Sequence, residues 1–319
     1  MPTFKEQFIR NRNFSFKGMR DTAMSCLPTD KVRLDQLYNE LKRGTDIIDD
    51  EDHLNMYLRS FGKMHQAKLN TAYKSYPNLG EVVSGEVEVF DWGCGQGIAT
   101  ICLLDFFKRE RKTPKIKKVT LIEPSVPAVT RAKDIIKCIC EDVEICVVNK
   151  VFDQLTEKDF VSNNLPKIHL FSNILDVDLF DLPKFISLFQ KVFTGVNHFL
   201  CVGPYYSNSK RLDDFLVATD PDSVFANYDL NKGEWEGEWS ISLRVFFKNF
   251  DRIESIQDIR KRIEESHKKN QFFAGYVLAA ITYQCVDTEL EEENEGLLKS
   301  LSSFDVKSNK SLSVEKDYP

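Results

Sequence analysis

Residues 87–100, VEVFDWGCGQGIAT, determine how the rest of the chain is interpreted. A short β-prone run leads to Asp91, and an apolar pattern at helical spacing begins at Ile98. Three glycines occupy alternate positions between them: Gly93, Gly95 and Gly97. Glycines let a backbone approach a ligand closely, and the first turn of a helix offers unpaired N–H groups. The stretch therefore predicts a strand, a ligand-binding turn and a helix.

Two common nucleotide-binding turns do not fit this stretch. The dinucleotide fingerprint requires G-x-G-x-x-G or A, followed by an acidic residue about 20 positions later. Here the sixth position is Ile98, and the next acid at the end of a strand is Glu123. The phosphate-binding pattern G-x-x-x-x-G-K-[ST] is absent from the chain. A nicotinamide oxidoreductase is therefore disfavoured.

The pattern D-x-G-x-G-x-G, with Glu123 closing a second strand (KKVTLIE), resembles the first two motifs of class I S-adenosylmethionine-dependent methyltransferases. The resemblance implies that Asp91 and the glycines surround the methionine half of S-adenosylmethionine. It also implies that Glu123 binds both ribose hydroxyls, which one carboxylate can accept together. The cofactor-binding residues expected on this basis are Asp91, Trp92, Gly93, Cys94, Gly95, Gly97, Glu123, Pro124, Phe152 and Asn173.

Strands and helices alternate from residue 86 onward, which predicts an α/β fold. The predicted strands cover residues 87–90, 119–122, 143–148, 168–172, 198–202, 239–247 and 272–283, and a helix at 253–268 separates the last two. We expect a Rossmann-like, seven-stranded, mostly parallel sheet with helices on both faces. By resemblance to the family, its last strand runs antiparallel, and Gly233, Trp235, Gly237 and Trp239 lie in the loop that enters the sixth strand.

Residues 1–80 read as a helical segment, and the family resemblance implies that it covers the cofactor or shapes a substrate rim. Apolar spacing predicts one helix at 30–42 and another in the run 46–76, whose acidic start suits a helix N-terminus and which Gly62 bends or breaks. A further helix is expected at 64–73. The candidates for the rim are Tyr57, Arg59, Lys63 and His65.

The formal net charge of −6 is unevenly distributed. Residues 287–319 hold nine acids and four bases, a balance of −5, so the remainder carries −6 − (−5) = −1. We expect a methyltransferase-like domain at 81–286 and an acidic, then Ser/Lys-rich loose tail at 287–319.

The chain before residue 287 is nearly neutral, so its charge does not indicate a broad nucleic-acid-binding surface. Basic side chains in the first twenty residues, which could bind phosphates, are read as a solvated or salt-bridged surface: Lys5, Arg10, Arg12, Lys17 and Arg20.

The eight cysteines are scattered. Cys138, Cys140 and Cys146 form the only cluster, and no second pair completes a zinc set, so no metal is expected. No apolar run is long enough to span a membrane, and the polar N-terminus is not a signal peptide. The sequence therefore predicts a cytoplasmic protein with reduced thiols and no membrane partner.

Ligands of an open parallel sheet bind beyond the carboxyl ends of its strands. Together with this topology, the family resemblance implies that Pro124, Val151 and Phe152 enclose adenine there, with Asn149 or Asp153 as a polar contact. His169 and His198 open their strands, so they should lie at the opposite end of the sheet and away from the chemistry.

Asp176 or Asp178, after the fourth strand, could serve as a general base, although both could instead cap the following helix. Asn173 is followed by Ile174 and Leu175, which disfavours the family's amine methylases with Asn or Asp before Pro-Pro-Tyr. The favoured function is methyl transfer by direct displacement to an oxygen or nitrogen of a small molecule, protein or RNA. The alternatives are a non-catalytic, cofactor-binding or scaffolding protein and an aminopropyl transferase, for which the two aspartates would form a polyamine pocket.

Overall fold

Seven strands form one sheet in the computed structural model of this protein. The structure describes residues 2–44, 46–161, 163–176, 180–205, 210–231 and 239–269. The sheet and the site lie in the unit Met1–Ile263, which is followed by the unit Glu264–Pro319. The strands are β1 (Glu86–Trp92), β2 (Lys115–Ile122), β3 (Glu144–Val148), β4 (Lys167–Ser172), β5 (Gly195–Gly203), β6 (Ser223–Leu230) and β7 (Ile241–Phe250).

The strand order is β3-β2-β1-β4-β5-β7-β6. Neighbouring strands from β3 to β5 run parallel, and β7 runs antiparallel to both of its neighbours. The chain builds outward from β1 to β3 on one side and then returns to place β4 on the other. Such a reversal leaves a crevice above the carboxyl ends of β1 and β4. The order confirms the predicted Rossmann-like fold class with an antiparallel last strand.

Helices surround this sheet, and several precede it. They are α1 (Phe4–Asn11), α2 (Phe16–Cys26), α3 (Lys31–Glu40), α4 (Glu51–Ser75), α5 (Leu79–Val82), α6 (Ile98–Arg109), α7 (Val126–Ile139), α8 (Leu182–Val192) and α9 (Arg211–Thr219). A helix over residues 256–269 ends the described chain. Short 3₁₀ turns occupy Lys42–Gly44, Phe152–Gln154 and Glu157–Asp159.

The two faces of the sheet carry different apolar cores because successive strand side chains point to opposite sides. On β1, Val87 and Val89 join a core shared with the N-terminal helices and with α6 and α7. Phe90 and Trp92 join the other core, which contains α8 and α9 and is rich in phenylalanine. The Trp92 ring stacks on Phe171 of β4 at a centroid distance of 5.7 Å. Helices therefore cover both faces, as predicted.

The helix α4 is a single helix of 25 residues, so the prediction that Gly62 breaks it and that a separate helix covers 64–73 is wrong. A Cβ atom at Gly62 would lie 3.2 Å from Cζ of Phe16 on α2. The glycine therefore permits close packing of two helices. Asp50 caps the start of α4, where its side chain accepts a hydrogen bond from the backbone N–H of His53 over 3.0 Å.

The strand predictions differ from the structure after β5. The predicted sixth strand at residues 239–247 corresponds to β7, the antiparallel strand, whereas β6 was not predicted. Val224 and Phe225 of β6 are exposed, so this edge strand lacks a clear apolar alternation. The predicted strand at 272–283, the tail at 287–319, and Gly233, Trp235 and Gly237 lie outside the described residues. The predicted domain boundaries stay a prediction.

Candidate functional site

A cavity of about 390 Å³ opens at the carboxyl ends of β1, β2 and β4. This volume falls within the range of about 300–1,000 Å³ in which proteins bind drug-sized ligands. The glycine turn contributes Gly93, Cys94, Gly95 and Gln96 to its lining. The cavity therefore lies at the position that the reversal of strand order predicts for a ligand.

All three glycines of the turn have positive φ, but their surroundings differ. The φ angles of Gly93, Gly95 and Gly97 are +61°, +50° and +77°. A Cβ atom at Gly93 would lie 2.7 Å from Cγ1 of Ile174, and one at Gly97 would lie 3.0 Å from Cβ of Ala132. At Gly95, by contrast, an added Cβ would meet nothing within 4 Å. Gly95 is thus the glycine whose bare backbone leaves open space in the cavity.

The carboxylate of Asp91 is buried where β1 ends and lines the cavity. Its Oδ2 accepts hydrogen bonds from the Thr100 hydroxyl over 2.7 Å and from the Thr100 N–H over 3.1 Å. The pKa of Asp91 is raised to about 6, because burial and the charge of Glu123 outweigh the opposing effect of the two hydrogen bonds from Thr100. The residue ties the start of α6 to the strand.

Glu123 follows β2 and links it to the glycine turn. One carboxylate oxygen accepts a hydrogen bond from the Gly95 N–H over 2.9 Å, and the other accepts one from the Ser125 N–H over 2.9 Å. Burial raises the pKa of Glu123, while the two N–H donors oppose that rise. Each carboxylate oxygen keeps a lone pair for a further donor, because an ionised carboxylate accepts about four hydrogen bonds.

Apolar side chains form the wall of the cavity beyond Glu123. Pro124, Val151 and Phe152 line it together with Phe180. The Phe152 ring packs edge-on against Phe180, with an interplanar angle of 66° and ring centroids 4.7 Å apart. This end therefore offers a flat apolar slot of the kind expected for an aromatic base.

The polar residues predicted beside that slot serve other contacts. Asn149 donates from Nδ2 to the carbonyl oxygens of Glu123 and Pro124, each over 2.8 Å. Asp153 accepts a hydrogen bond from the backbone N–H of Asp181 over 3.2 Å. Neither side chain is part of the described cavity lining, so the prediction of a polar adenine contact from either is not supported by their placement.

The N-terminal segment forms the remaining side of the cavity. It contributes Gly44, Asp46, Ile47, Ile48, Leu54, Tyr57 and His65 to the lining. The Leu54 carbonyl accepts a hydrogen bond from Gln96 Nε2 over 2.9 Å. Of the predicted rim residues, Tyr57 and His65 line the cavity, whereas Arg59 and Lys63 are exposed.

Arg131 of α7, which sequence reasoning missed, holds the segment against the glycine turn. Its guanidinium donates to Gln96 Oε1 over 2.8 Å and to Asn55 Oδ1 over 2.9 Å, and it forms an ion pair with Glu51. The guanidinium also lies 3.8 Å from the ring centroid of Phe4. A lone arginine within a helical pattern gives no sequence signal of such a role, because its partners are distant in the chain.

A second hydrogen-bonded group joins α4 to the end of β4. Tyr57 Oη lies 2.8 Å from His65 Nε2, and His65 Nδ1 lies 2.6 Å from Asn173 Nδ2. On its other side, Asn173 Oδ1 accepts a hydrogen bond from Lys68 Nζ over 3.4 Å. Burial lowers the pKa of His65 to about 3 and that of Lys68 to about 8. Lys68 was not among the predicted site residues.

Most, but not all, of the predicted cofactor-binding residues meet at the cavity. Its lining includes Asp91, Gly93, Cys94, Gly95, Glu123, Pro124, Phe152 and Asn173. The Trp92 side chain instead lies in the aromatic core, and Gly97 packs against α7. His169 and His198, expected to lie away from the chemistry, do not appear in the lining that the structure describes.

The predicted base, Asp176, is not among the described lining residues. Its Oδ1 is buried without a hydrogen-bond partner in the described part of the chain, and burial raises its pKa, against the nearby charge of Lys68. The catalytic role of Asp176 stays a prediction. Asp178 lies outside the described residues.

Within the described residues, no group of three or more His, Cys, Asp or Glu side chains is placed to hold a metal ion.

Two of the basic N-terminal side chains form ion pairs. Lys5 Nζ lies 3.1 Å from Asp134 Oδ1, and Lys17 pairs with Asp21 four residues later. These contacts match the interpretation of a salt-bridged surface at those two positions. In the described ranges, no helix combines the length and apolar character that crossing a membrane requires.

Three solved structures show what this chain is similar to. A proposed class I S-adenosylmethionine-dependent methyltransferase from Listeria monocytogenes is 11% identical, with a TM-score of 0.42 over 76% of this chain and 72% of that one. The mitomycin 7-O-methyltransferase MmcR is also 11% identical, with a TM-score of 0.42 over 78% and 74% of the two chains. Magnesium protoporphyrin IX methyltransferase from Synechocystis PCC 6803, solved with bound S-adenosylmethionine, is 11% identical, with a TM-score of 0.40 over 68% and 96%. Each is a methyltransferase by name.

No protein-family model matches the sequence, and no curated protein does. The structural likenesses are distant in both identity and superposition, so the function is inferred below from the geometry of the site.

Proposed function

We propose that this protein binds S-adenosylmethionine and transfers its methyl group by direct displacement to an oxygen or nitrogen of a small molecule, a protein or an RNA. The observation that carries the proposal is the 2.9 Å hydrogen bond from the Gly95 N–H to Glu123. It joins the carboxylate after β2 to the glycine turn after β1, within one cavity. These are the two elements that the family resemblance assigns to the sugar and the amino-acid half of the cofactor.

The chemical groups around the cavity fit such a ligand in three ways. Gly95 leaves open space where a side chain would otherwise stand. The carboxylates of Asp91 and Glu123 supply acceptors for an ammonium group and for two ribose hydroxyls. Phe152 and Pro124 offer apolar surface to an adenine ring. A positively charged sulfur compound also benefits from a cavity that carries these acidic groups.

When bound, the cofactor supplies an electrophilic methyl group, which passes to a lone pair of the acceptor as the carbon–sulfur bond breaks and leaves a thioether. The protein's own contribution is alignment and the exclusion of water. Leu54 and Ile48 of the N-terminal segment, with Ile98 and Ile174, give the cavity apolar walls. A base is required only for an acceptor that is protonated at working pH.

Calorimetric titration with S-adenosylhomocysteine tests the proposal. We expect one molecule to bind per chain, and Glu123→Ala to weaken binding roughly 10-fold or more, because hydrogen bonds to a charged group contribute about 1.5–3 kcal/mol each. Glu86→Ala is the matched control, since Glu86 is an exposed carboxylate at the opposite end of β1 that pairs with Lys117. No binding by the unmodified protein, or equal affinity in Glu123→Ala, would refute the assignment. Transfer of labelled methyl groups into fractionated cell extract would then separate RNA, protein and metabolite acceptors.

A further inference from the structure

In the hydrogen bonds that link Lys68, Asn173, His65 and Tyr57, each residue donates to the next one. Lys68 carries only donors, so the atom of Asn173 that faces it must be the amide oxygen. The amide nitrogen of Asn173 therefore faces His65 Nδ1, 2.6 Å away, and donates to it. Because Lys68 is completely buried, this orientation does not depend on a mobile surface side chain.

The direction continues through the imidazole. Burial keeps His65 neutral, with a pKa lowered to about 3, so only one of its nitrogens carries hydrogen. Nδ1 accepts from Asn173, which places the hydrogen on Nε2 and makes Nε2 the donor to Tyr57 Oη over 2.8 Å. The hydroxyl hydrogen of Tyr57 is then left over, with no acceptor among the described residues, and Tyr57 lines the cavity. Burial raises the pKa of Tyr57, so the hydroxyl remains a donor.

The cavity otherwise has few donors for an anion. No lysine or arginine is part of its lining as the structure describes it, whereas Asp46, Asp91 and Glu123 are. The hydroxyl of Ser125 is already used, because it donates to the Ile48 carbonyl. Tyr57 and Ser172 are the hydroxyls that remain.

Tyr57 is also placed toward the glycine turn. It lies three residues after Leu54 on α4, so the two side chains share one side of the helix. The Leu54 carbonyl accepts from Gln96 of the turn over 2.9 Å, which fixes this part of α4 beside Gly95. Tyr57 and Gly95 line the same cavity, and the charge of Glu123, which accepts the hydrogen bond from the Gly95 N–H, acts on the Tyr57 hydroxyl.

We propose that Tyr57 donates a hydrogen bond to the carboxylate of the cofactor's amino-acid half, and that Lys68, Asn173 and His65 are positioning residues that turn its hydroxyl toward that carboxylate. This inference rests on the proposed function. It makes the cavity selective for S-adenosylmethionine over its decarboxylated form, which is the donor that an aminopropyl transferase would need.

The test is the ratio of two affinities, measured by calorimetric titration with S-adenosylmethionine and with decarboxylated S-adenosylmethionine. Tyr57→Phe should weaken binding of the first roughly 10- to 100-fold and leave binding of the second unchanged, because it removes one hydrogen bond to a charged group. Lys68→Met should lower the same ratio, since the Asn173 amide can then turn over and make His65 accept the Tyr57 hydrogen. Tyr38→Phe is the matched control: Tyr38 is 48% exposed on α3 and is not among the described lining residues.

Each outcome decides between defined possibilities. If the unmodified protein binds neither compound, the proposed function fails. If it binds S-adenosylmethionine but Tyr57→Phe leaves the ratio unchanged, the proposed function stands and the role of Tyr57 is refuted. A variant that lowers both affinities equally, with a lower midpoint of thermal unfolding, would show a structural role for that residue and overturn its positioning role.

Discussion

Replacing Gly95 with alanine should weaken cofactor binding far more than it destabilises the fold. Gly95 has a φ of +50°, and an added Cβ would meet no protein atom within 4 Å. The new methyl group would therefore stand in open space of the cavity. Gly195, the first residue of β5, provides a matched comparison because its φ is +76° and its added Cβ would also meet nothing within 4 Å. Gly195 is outside the described cavity lining.

The structure gives the magnitudes. A non-glycine residue in the left-handed region costs about 1–2 kcal/mol, so both alanine variants should lose about that much stability. In a domain of about 150–250 residues this lowers the unfolding midpoint by roughly 2–4 °C per kcal/mol. At Gly95 the methyl group would additionally crowd the bound ligand, at a cost of about 1–3 kcal/mol. Affinity for S-adenosylhomocysteine should therefore fall roughly 10-fold or more in Gly95→Ala and remain unchanged in Gly195→Ala.

Two measurements suffice: thermal unfolding without ligand and calorimetric titration with S-adenosylhomocysteine. Gly93→Ala extends the series, because its Cβ would lie 2.7 Å from Ile174 and should destabilise the fold beyond the shared backbone cost. Unchanged affinity in Gly95→Ala would refute the placement of the ligand against this glycine. Equal losses of affinity in Gly95→Ala and Gly195→Ala would show that the effect arises from global destabilisation.

Three further variants test other parts of the molecule. Arg131→Met should lower the free energy of unfolding by about 3 kcal/mol in urea denaturation, because it leaves buried amide oxygens without donors. Burial lowers the pKa of His169 from 6.5 to about 3, so between these values the unfolded state binds more protons and stability falls as the pH is lowered. His169→Gln should reduce that loss by about 1.4 kcal/mol per pH unit below about pH 6.5, measured by thermal or urea unfolding at several pH values. Trp92→Phe should cost about 1–2 kcal/mol of stability in urea denaturation and leave affinity for S-adenosylhomocysteine unchanged in a titration, since its ring lies in the core.

Controls accompany these variants. The Glu51 side chain is 60% exposed, so Glu51→Gln should cost less than about 1 kcal/mol, and a cost equal to that of Arg131→Met would place the energy in the ion pair. Identical pH dependence in the unmodified protein and in His169→Gln would show that His169 titrates normally. A clear loss of cofactor affinity in Trp92→Phe would contradict the placement of its side chain.

The local features of the site could be predicted because they lie within short stretches. A β-prone run, Asp91 and the alternate glycines fix a strand, a turn and a helix without help from distant residues. The motif did not separate ligand contacts from packing, however. Trp92 neighbours Asp91 on a strand, so its side chain points to the opposite face. Gly97 has positive φ but packs against Ala132 of α7.

Features that depend on distant partners could not be predicted in the same way. The contact between His65 and Asn173 joins residues 108 positions apart, and that between Lys68 and Asn173 joins residues 105 apart. The sequences around His65, Lys68 and Asn173 contain no pattern that predicts these contacts. The strand β6 escaped prediction because it is an edge strand with exposed apolar side chains, and Gly62 was misread because its packing partner lies on α2.

The residues that line the cavity leave the ribosome at widely separated times during synthesis. Its walls begin with Gly44 and include Phe180, so the pocket cannot close until more than half of the chain has been made. Until β4 emerges, the buried amine of Lys68 lacks Asn173, and the strands that α4 packs against, β5 and β7, are made later still. A nascent chain stalled before residue 173 would therefore expose the apolar surface of α4, which chaperones recognise and which favours aggregation.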